Sequence, residues 1–173
     1  MRRIVLSSLL VLTFTIFFSG RALGCGCVQM FEKPDAAMAR AALVKAFNGA
    51  TAVFSGKVVE AGRLKLKFEV DKVWKGDVGK EFVMSTGARQ YDEETFSTSS
   101  CDYNFKLGEE YLVYAYPVDP DLHPGSTDLQ AHQCTRTKLL TYAEQEMKDL
   151  DEVQPHETRG TRQKAASGNP AEN

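Results

Sequence analysis

Four cysteines constrain this chain more than any other feature, because Cys25 and Cys27 stand one residue apart while Cys101 and Cys134 lie singly and far downstream. Four thiols can make a zinc site, a redox pair or two disulfides. The paired ligand spacing of a structural zinc site is missing around Cys101 and Cys134. His123 and His132 are nine positions apart and His156 sits in a polar tail, so no helical histidine pair supplies a metal either. All three read as surface or loop residues.

The compartment decides among the remaining readings. Residues 1–24 begin with Arg2 and Arg3, continue as an apolar block from Ile4 to Phe18, and finish on Ser19-Gly20-Arg21-Ala22-Leu23-Gly24. This is the pattern of a cleavable export signal. Ala22 and Gly24 provide the small side chains a signal peptidase needs, which makes Cys25 the expected first residue of the mature chain. The apolar block is shorter than the roughly 20 residues of a bilayer span. A lipoprotein signal competes, since Gly24-Cys25 resembles the end of a lipobox, but Ala22 stands where leucine is usual. Lipidation of Cys25 would also leave an odd set of three cysteines. A periplasmic or lipid-anchored location stays open beside a secreted one.

Export favours disulfides. A bond between Cys25 and Cys27 closes a tiny, strained ring, whereas the other two connectivities both tie the N-terminus to distant parts of the chain. Closing a loop as long as that from Cys25 to Cys101 is worth on the order of 4 to 5 kcal/mol in the chain-entropy view, and a second, overlapping bond adds less. Either way the first mature residues are held rigid where termini normally fray.

Cleavage removes three arginines and no acid, taking the formal charge from -2 to -5 over the remaining 149 residues. Such a chain suits one domain with a proper core. Its acidity argues against nucleic acid or anionic polysaccharide as partners.

Along the body, Asp35 to Phe47 is alanine-rich, with Met38, Ala42 and Leu43 at helical spacing and Asn48-Gly49 as a stop, which predicts a short helix over 35–47. Ala52 to Val59 reads as a strand with a bulge or bend at Gly56. Leu64, Leu66, Phe68 and Val70 alternate with charged residues, the mark of an antiparallel strand with one wet face. Val73-Trp74-Lys75-Gly76 is expected to end that strand in a turn, with Trp74 in the core. Glu81 to Thr86 and Tyr111 to Tyr116 make two further strands, and Leu129 to Gln133 a fifth. Gly87 to Asn104 reads as a long polar loop pinned through Cys101. Short strands with glycines point to a small, mainly β, five-stranded closed barrel. Thr141-Tyr142-Ala143-Glu144 looks like a capping box, and Leu139, Ala143, Met147 and Leu150 form an apolar stripe, so a second helix is expected near 137–153. From 154 to 173 the chain turns polar and aperiodic, the composition of a disordered tail.

These pieces together match a family. Cys25-Gly26-Cys27-Val28 after an export signal, a five-stranded barrel, Cys101 late in the loop before the fourth strand, and Cys134 ahead of a helix resemble the inhibitory domain of the tissue inhibitors of metalloproteinases. The wider group is the netrin-like modules. The likeness spans 25–153, with Cys25 to Val28, Phe68 to Gly76 and Cys101 as its best-matched parts. It implies an OB-type Greek-key barrel with two flanking helices, Cys25 bonded to Cys101, and Cys27 bonded to Cys134. It further implies a wedge in which Cys25, Gly26, Cys27 and Val28 enter a protease cleft beside Ser99 and Ser100, with the main-chain amine and carbonyl of Cys25 on the protease's zinc. The protein would then be a monomeric, secreted inhibitor with no cofactor of its own, and its partner a secreted or cell-surface zinc metalloprotease that contributes the metal.

The chain departs from the family pattern in three places. Gly26 stands where the family carries a side chain for the protease's specificity pocket. The third disulfide of that domain lacks its cysteines, and the sequence holds no counterpart of the cysteine-rich C-terminal domain. Glu60 to Arg63 leaves only a short connection between the first two strands. The runner-up reading is a netrin-like module that binds proteins, extracellular matrix proteins among them, without touching zinc. No nucleophile, base and orienting acid stand at a recognisable spacing, so an enzyme is not expected, and Thr98-Ser99-Ser100 reads as a polar loop.

Overall fold

The computed structural model describes residues 25–27 and 35–153; the expected export signal over 1–24, Val28 and the expected disordered tail over 154–173 lie outside the described residues. Helix α1 (Ala36–Gly49) opens on Asp35, whose carboxylate accepts the Met38 N–H at 2.7 Å as an N-cap. It buries Leu43 and Phe47, whereas Met38 lies 47% exposed. Strands β1 (Ala52–Ala61), β2 (Lys65–Lys75) and β3 (Glu81–Ser85) follow, then β6 (Glu110–Pro117) and β7 (Leu129–Gln130), giving an antiparallel sheet in the order β3-β2-β1-β6-β7. Between β3 and β6, the two-residue strands β4 (Arg89–Gln90) and β5 (Phe96–Ser97) form a hairpin of their own. Helix α2 (Glu144–Val153) closes the described chain.

The sheet separates two apolar clusters. On one side Phe54, Phe68, Met84, Tyr111 and Val113 pack with Phe82, Tyr103 and Phe105. Edge-to-face ring pairs run through this layer, Phe54 to Phe68 at 5.3 Å, Phe68 to Phe105 at 5.3 Å and Phe105 to Tyr111 at 4.9 Å. On the other side Val53, Trp74, Leu112 and Tyr114 meet Leu43 and Phe47 of α1 and Ala143 and Leu150 beside and within α2. Strands β1 and β6 are therefore covered on both faces, which is why they read as unbroken apolar runs, while β2 alternates because part of its outer face is wet. Trp74 belongs to the core at 4% exposure.

The bend expected in β1 is present as shifts of register against β2, one of them between Ser55 and Gly56. A Cβ at Gly56 would stand 2.6 Å from the Glu69 carbonyl oxygen, so the strands approach closely there because the side chain is missing.

Three expectations are corrected. Strand β2 does not turn at Val73 but runs to Lys75, since Trp74 is drawn into the helix-side core and its indole N–H donates to Asp151 at 2.6 Å. The segment 87–104 is not a plain loop, because it contains the β4–β5 hairpin. The second helix begins at Glu144 rather than near 137. Ahead of it β8 (Lys138–Leu139) pairs with β6, Tyr111 opposite Leu139 and Leu112 opposite Lys138, and a 3-10 turn (Leu140–Tyr142) follows. Thr141 lies in that turn and caps nothing.

Candidate functional site

The cysteines meet at one end of the molecule. Disulfides join Cys25 to Cys101, with Cα atoms 5.0 Å apart, and Cys27 to Cys134, at 5.2 Å. Of the two connectivities that the sequence left open, this one places the bridges side by side, with the Cys25 and Cys134 sulfurs 4.0 Å apart. The sulfurs of Cys25, Cys27 and Cys134 lie within 4.8 Å of one another, a metal-like grouping, but each is spent in a disulfide and offers no thiolate.

The two receiving loops are tied together without help from the bridges. Gln133 N–H donates to the Cys101 carbonyl at 2.7 Å, Tyr103 N–H to the Ala131 carbonyl at 3.3 Å, and Asp102 pairs with His132 as an isolated β-bridge. Within the first loop the Asp102 carboxylate accepts the Ser99 N–H at 2.7 Å and the Ser99 hydroxyl accepts the Cys101 N–H at 3.1 Å. These bonds fold Ser99 and Ser100 outward as an exposed ridge beside the Cys25 strap. The Cys25 N–H donates to the Ser100 hydroxyl at 3.2 Å. Gly26 is exposed, and a Cβ built on it meets nothing within 4 Å, so a side chain would have room there. The structure thus brings Cys25, Gly26, Cys27, Ser99, Ser100, Cys101 and Cys134 together; Val28 lies outside the described residues.

Gly87 supports the ridge from beneath, a role not apparent from sequence. Its φ is +89°, and a Cβ would stand 2.4 Å from the Asp102 carboxylate. Gly87→Ala is expected to cost about 1–3 kcal/mol from the left-handed backbone alone, and to push Asp102 off the Ser99 N–H. Urea denaturation and the amide shifts of 98–102 check both; an unmoved ridge would show that Asp102 does not set it.

The cluster around Glu146 was likewise missed. Its carboxylate, in a residue only 7% exposed, accepts from Arg136, Lys138 and the Tyr114 hydroxyl at 2.6–2.9 Å. Burial pushes the Glu146 carboxyl up, but these donors outweigh it and hold it below the ordinary range. Burial first, then the carboxylate, pushes the Tyr114 hydroxyl well above its usual value. All of its partners are satisfied, so it pins α2 to the sheet and presents nothing to a ligand.

No protein-family model matches the chain, and no curated protein is significantly similar to it. No helix among the described residues is long and apolar enough to cross a membrane.

Proposed function

We propose that the chain, cut before Cys25 and exported, is an inhibitor of zinc metalloendopeptidases built like the inhibitory domain of the tissue inhibitors of metalloproteinases. The observation that carries this reading is the Cys25 nitrogen. It lies on an exposed strap clamped by two adjacent disulfides, and it already points a hydrogen at Ser100. Cleavage would turn that peptide nitrogen into an α-amine. With an unperturbed pKa near 8, the amine loses its proton to a metal at modest cost. A neutral amine can keep one N–H on Ser100 and present its lone pair outward. Together with the adjacent carbonyl it forms a five-membered chelate at the open position of a catalytic zinc, and the water that would have attacked the substrate is displaced. The clamp supplies the preorganisation, because a loose strap would lose much of that binding energy to ordering.

The finer architecture belongs to the same reading. The order β3-β2-β1-β6-β7 and the approach of β3 to β7, within 8 Å, support an OB-type barrel of five principal strands. Gly26 favours the second reading, a netrin-like module that binds proteins without zinc, because it leaves a specificity pocket unfilled.

The two readings separate on the free amine. Acetylated Cys25, or a chain with one alanine before it, is expected to lose inhibition of a panel of zinc endopeptidases while keeping its fold by circular dichroism. Inhibition undiminished by the extra alanine would rule out chelation and leave the binding module.

A further inference from the structure

We propose a second binding site: a groove along the outer face of β2 and β3 that takes an extended, acidic protein segment carrying apolar side chains. It rests on its own observations and not on the zinc contact. One stretch of the groove, of roughly 470 Å³, is walled by Arg63, Leu64, Lys65, Val83, Gln90 and Phe96. A second, of roughly 510 Å³, shares Leu64, Lys65 and Gln90 and adds Arg89, Tyr91 and Leu122. Val83, Tyr91 and Leu122 are 53%, 63% and 45% exposed, so three large apolar side chains left in water are gathered here.

The charges select the ligand. The guanidinium of Arg63 lies 5.0 Å from the Phe96 ring centre and that of Arg89 5.8 Å from the Tyr91 ring centre. Neither has a carboxylate partner among the described residues, whereas Arg40 and Arg136 do. A ring holds one face of a guanidinium and leaves its N–H edge free, the geometry that receives a carboxylate with two parallel hydrogen bonds. The acids nearby are neutralised only in part: Glu60 and Glu81 share Lys67, and Asp128 pairs with Lys65 and Ser126, while Asp92, Glu93 and Glu94 at the hairpin turn have no ion pair among the described residues and lie outside the lining of both stretches. Asp121 lines the second stretch without such a partner and, with His123 beside it, tempers the charge at that end.

Two free guanidiniums over an apolar floor suit one or two carboxylates flanking apolar side chains. A long polyanion fits less well, because most of its charge would face a protein that is itself negative and the apolar floor would stay unused. Arg63 also lines a third cavity of roughly 350 Å³ that reaches Ser99, so a partner seated on the ridge can extend into the groove.

The probe is an acetylated, amidated hexapeptide of alternating glutamate and leucine, titrated into ¹⁵N-labelled protein, beside its glutamine counterpart and a heparin-derived hexasaccharide. We expect shifts confined to 63–67, 81–85 and 89–96, binding that weakens with salt, and a glutamine peptide about tenfold weaker or worse. Arg63→Ala with Arg89→Ala should weaken the glutamate peptide by at least about tenfold; should that pair disturb the hairpin, Arg63→Gln alone should weaken it several-fold. No binding, equal binding of both peptides, unchanged affinity in the variants, or preference for the saccharide would each overturn the proposal.

Discussion

Replacing Cys27 and Cys134 together with serine is expected to lower stability by about 2–4 kcal/mol and to weaken zinc-protease inhibition by roughly 30- to 700-fold. The bridge closes a separation of 107 residues, which taken alone would be worth close to 5 kcal/mol in the chain-entropy view. The Cys25–Cys101 bridge, at a separation of 76, closes an overlapping stretch of the chain, so part of that restriction survives the substitution. The loops that carry Cys101 and Cys134 stay joined by the Gln133-to-Cys101 hydrogen bond and the Asp102–His132 bridge. The domain should therefore remain folded, with the damage confined to the strap. Losing one of two clamps frees about two residues there, at about 1–2 kcal/mol of backbone entropy each, and this sets the range given for inhibition. Urea midpoints and inhibition constants of the folded variant check the two parts separately. An unchanged inhibition constant beside a lowered midpoint would mean that the strap does not make the contact.

The sequence was most informative where burial on one or two faces leaves a periodic trace. The alternation from Leu64 to Val70 marks β2, and the unbroken runs at Ala52 and Tyr111 mark strands with apolar layers on both sides. It was least informative where backbone pairing wins over side-chain pattern. Leu139 fits a helical stripe continuing to Leu150, yet the chain at Lys138 and Leu139 lies against β6, with the buried Thr137 hydroxyl accepting the Tyr114 N–H at 3.0 Å. The stripe itself splits: Leu139 packs with the ring layer, and Ala143 and Leu150 with the helix-side core. The β4–β5 hairpin left no trace because two-residue strands have no period. At the ridge, the meeting of the Cys25–Cys27 pair with two distant cysteines could be anticipated, but Gly87 beneath Asp102 could not, since a lone glycine in a polar stretch is compatible with any loop. Glu146 did leave a signal. It stands three residues after Ala143 and four before Leu150, on the apolar face of α2, where a carboxylate must find donors or stay out of the core.

Glu146→Ala should destabilise the domain by about 3 kcal/mol at neutral pH, near the lower end for breaking a buried ion pair. The lower end applies because the Arg136 and Lys138 side chains are 34% and 33% exposed and can turn to water once the carboxylate is gone. The Tyr114 hydroxyl, in a residue with no exposed surface, would lose its acceptor and cannot turn out in the same way. The effect depends on pH with a definite sign. The folded state holds the Glu146 carboxyl below its ordinary value of 4.5, so its contribution is fully present above that value and is lost as pH falls through the folded pKa. The gap between the parent and Glu146→Ala should accordingly be widest at pH 7 and shrink below about pH 4.5, measured as urea midpoints at several pH values. A gap of constant size down to pH 3 would show that Glu146 acts by filling space and not through its charge. Because α2 sits on the face of the sheet opposite the ring layer, the loss should appear first as release of Leu150 and Trp74, with the disulfide-clamped ridge keeping its amide shifts.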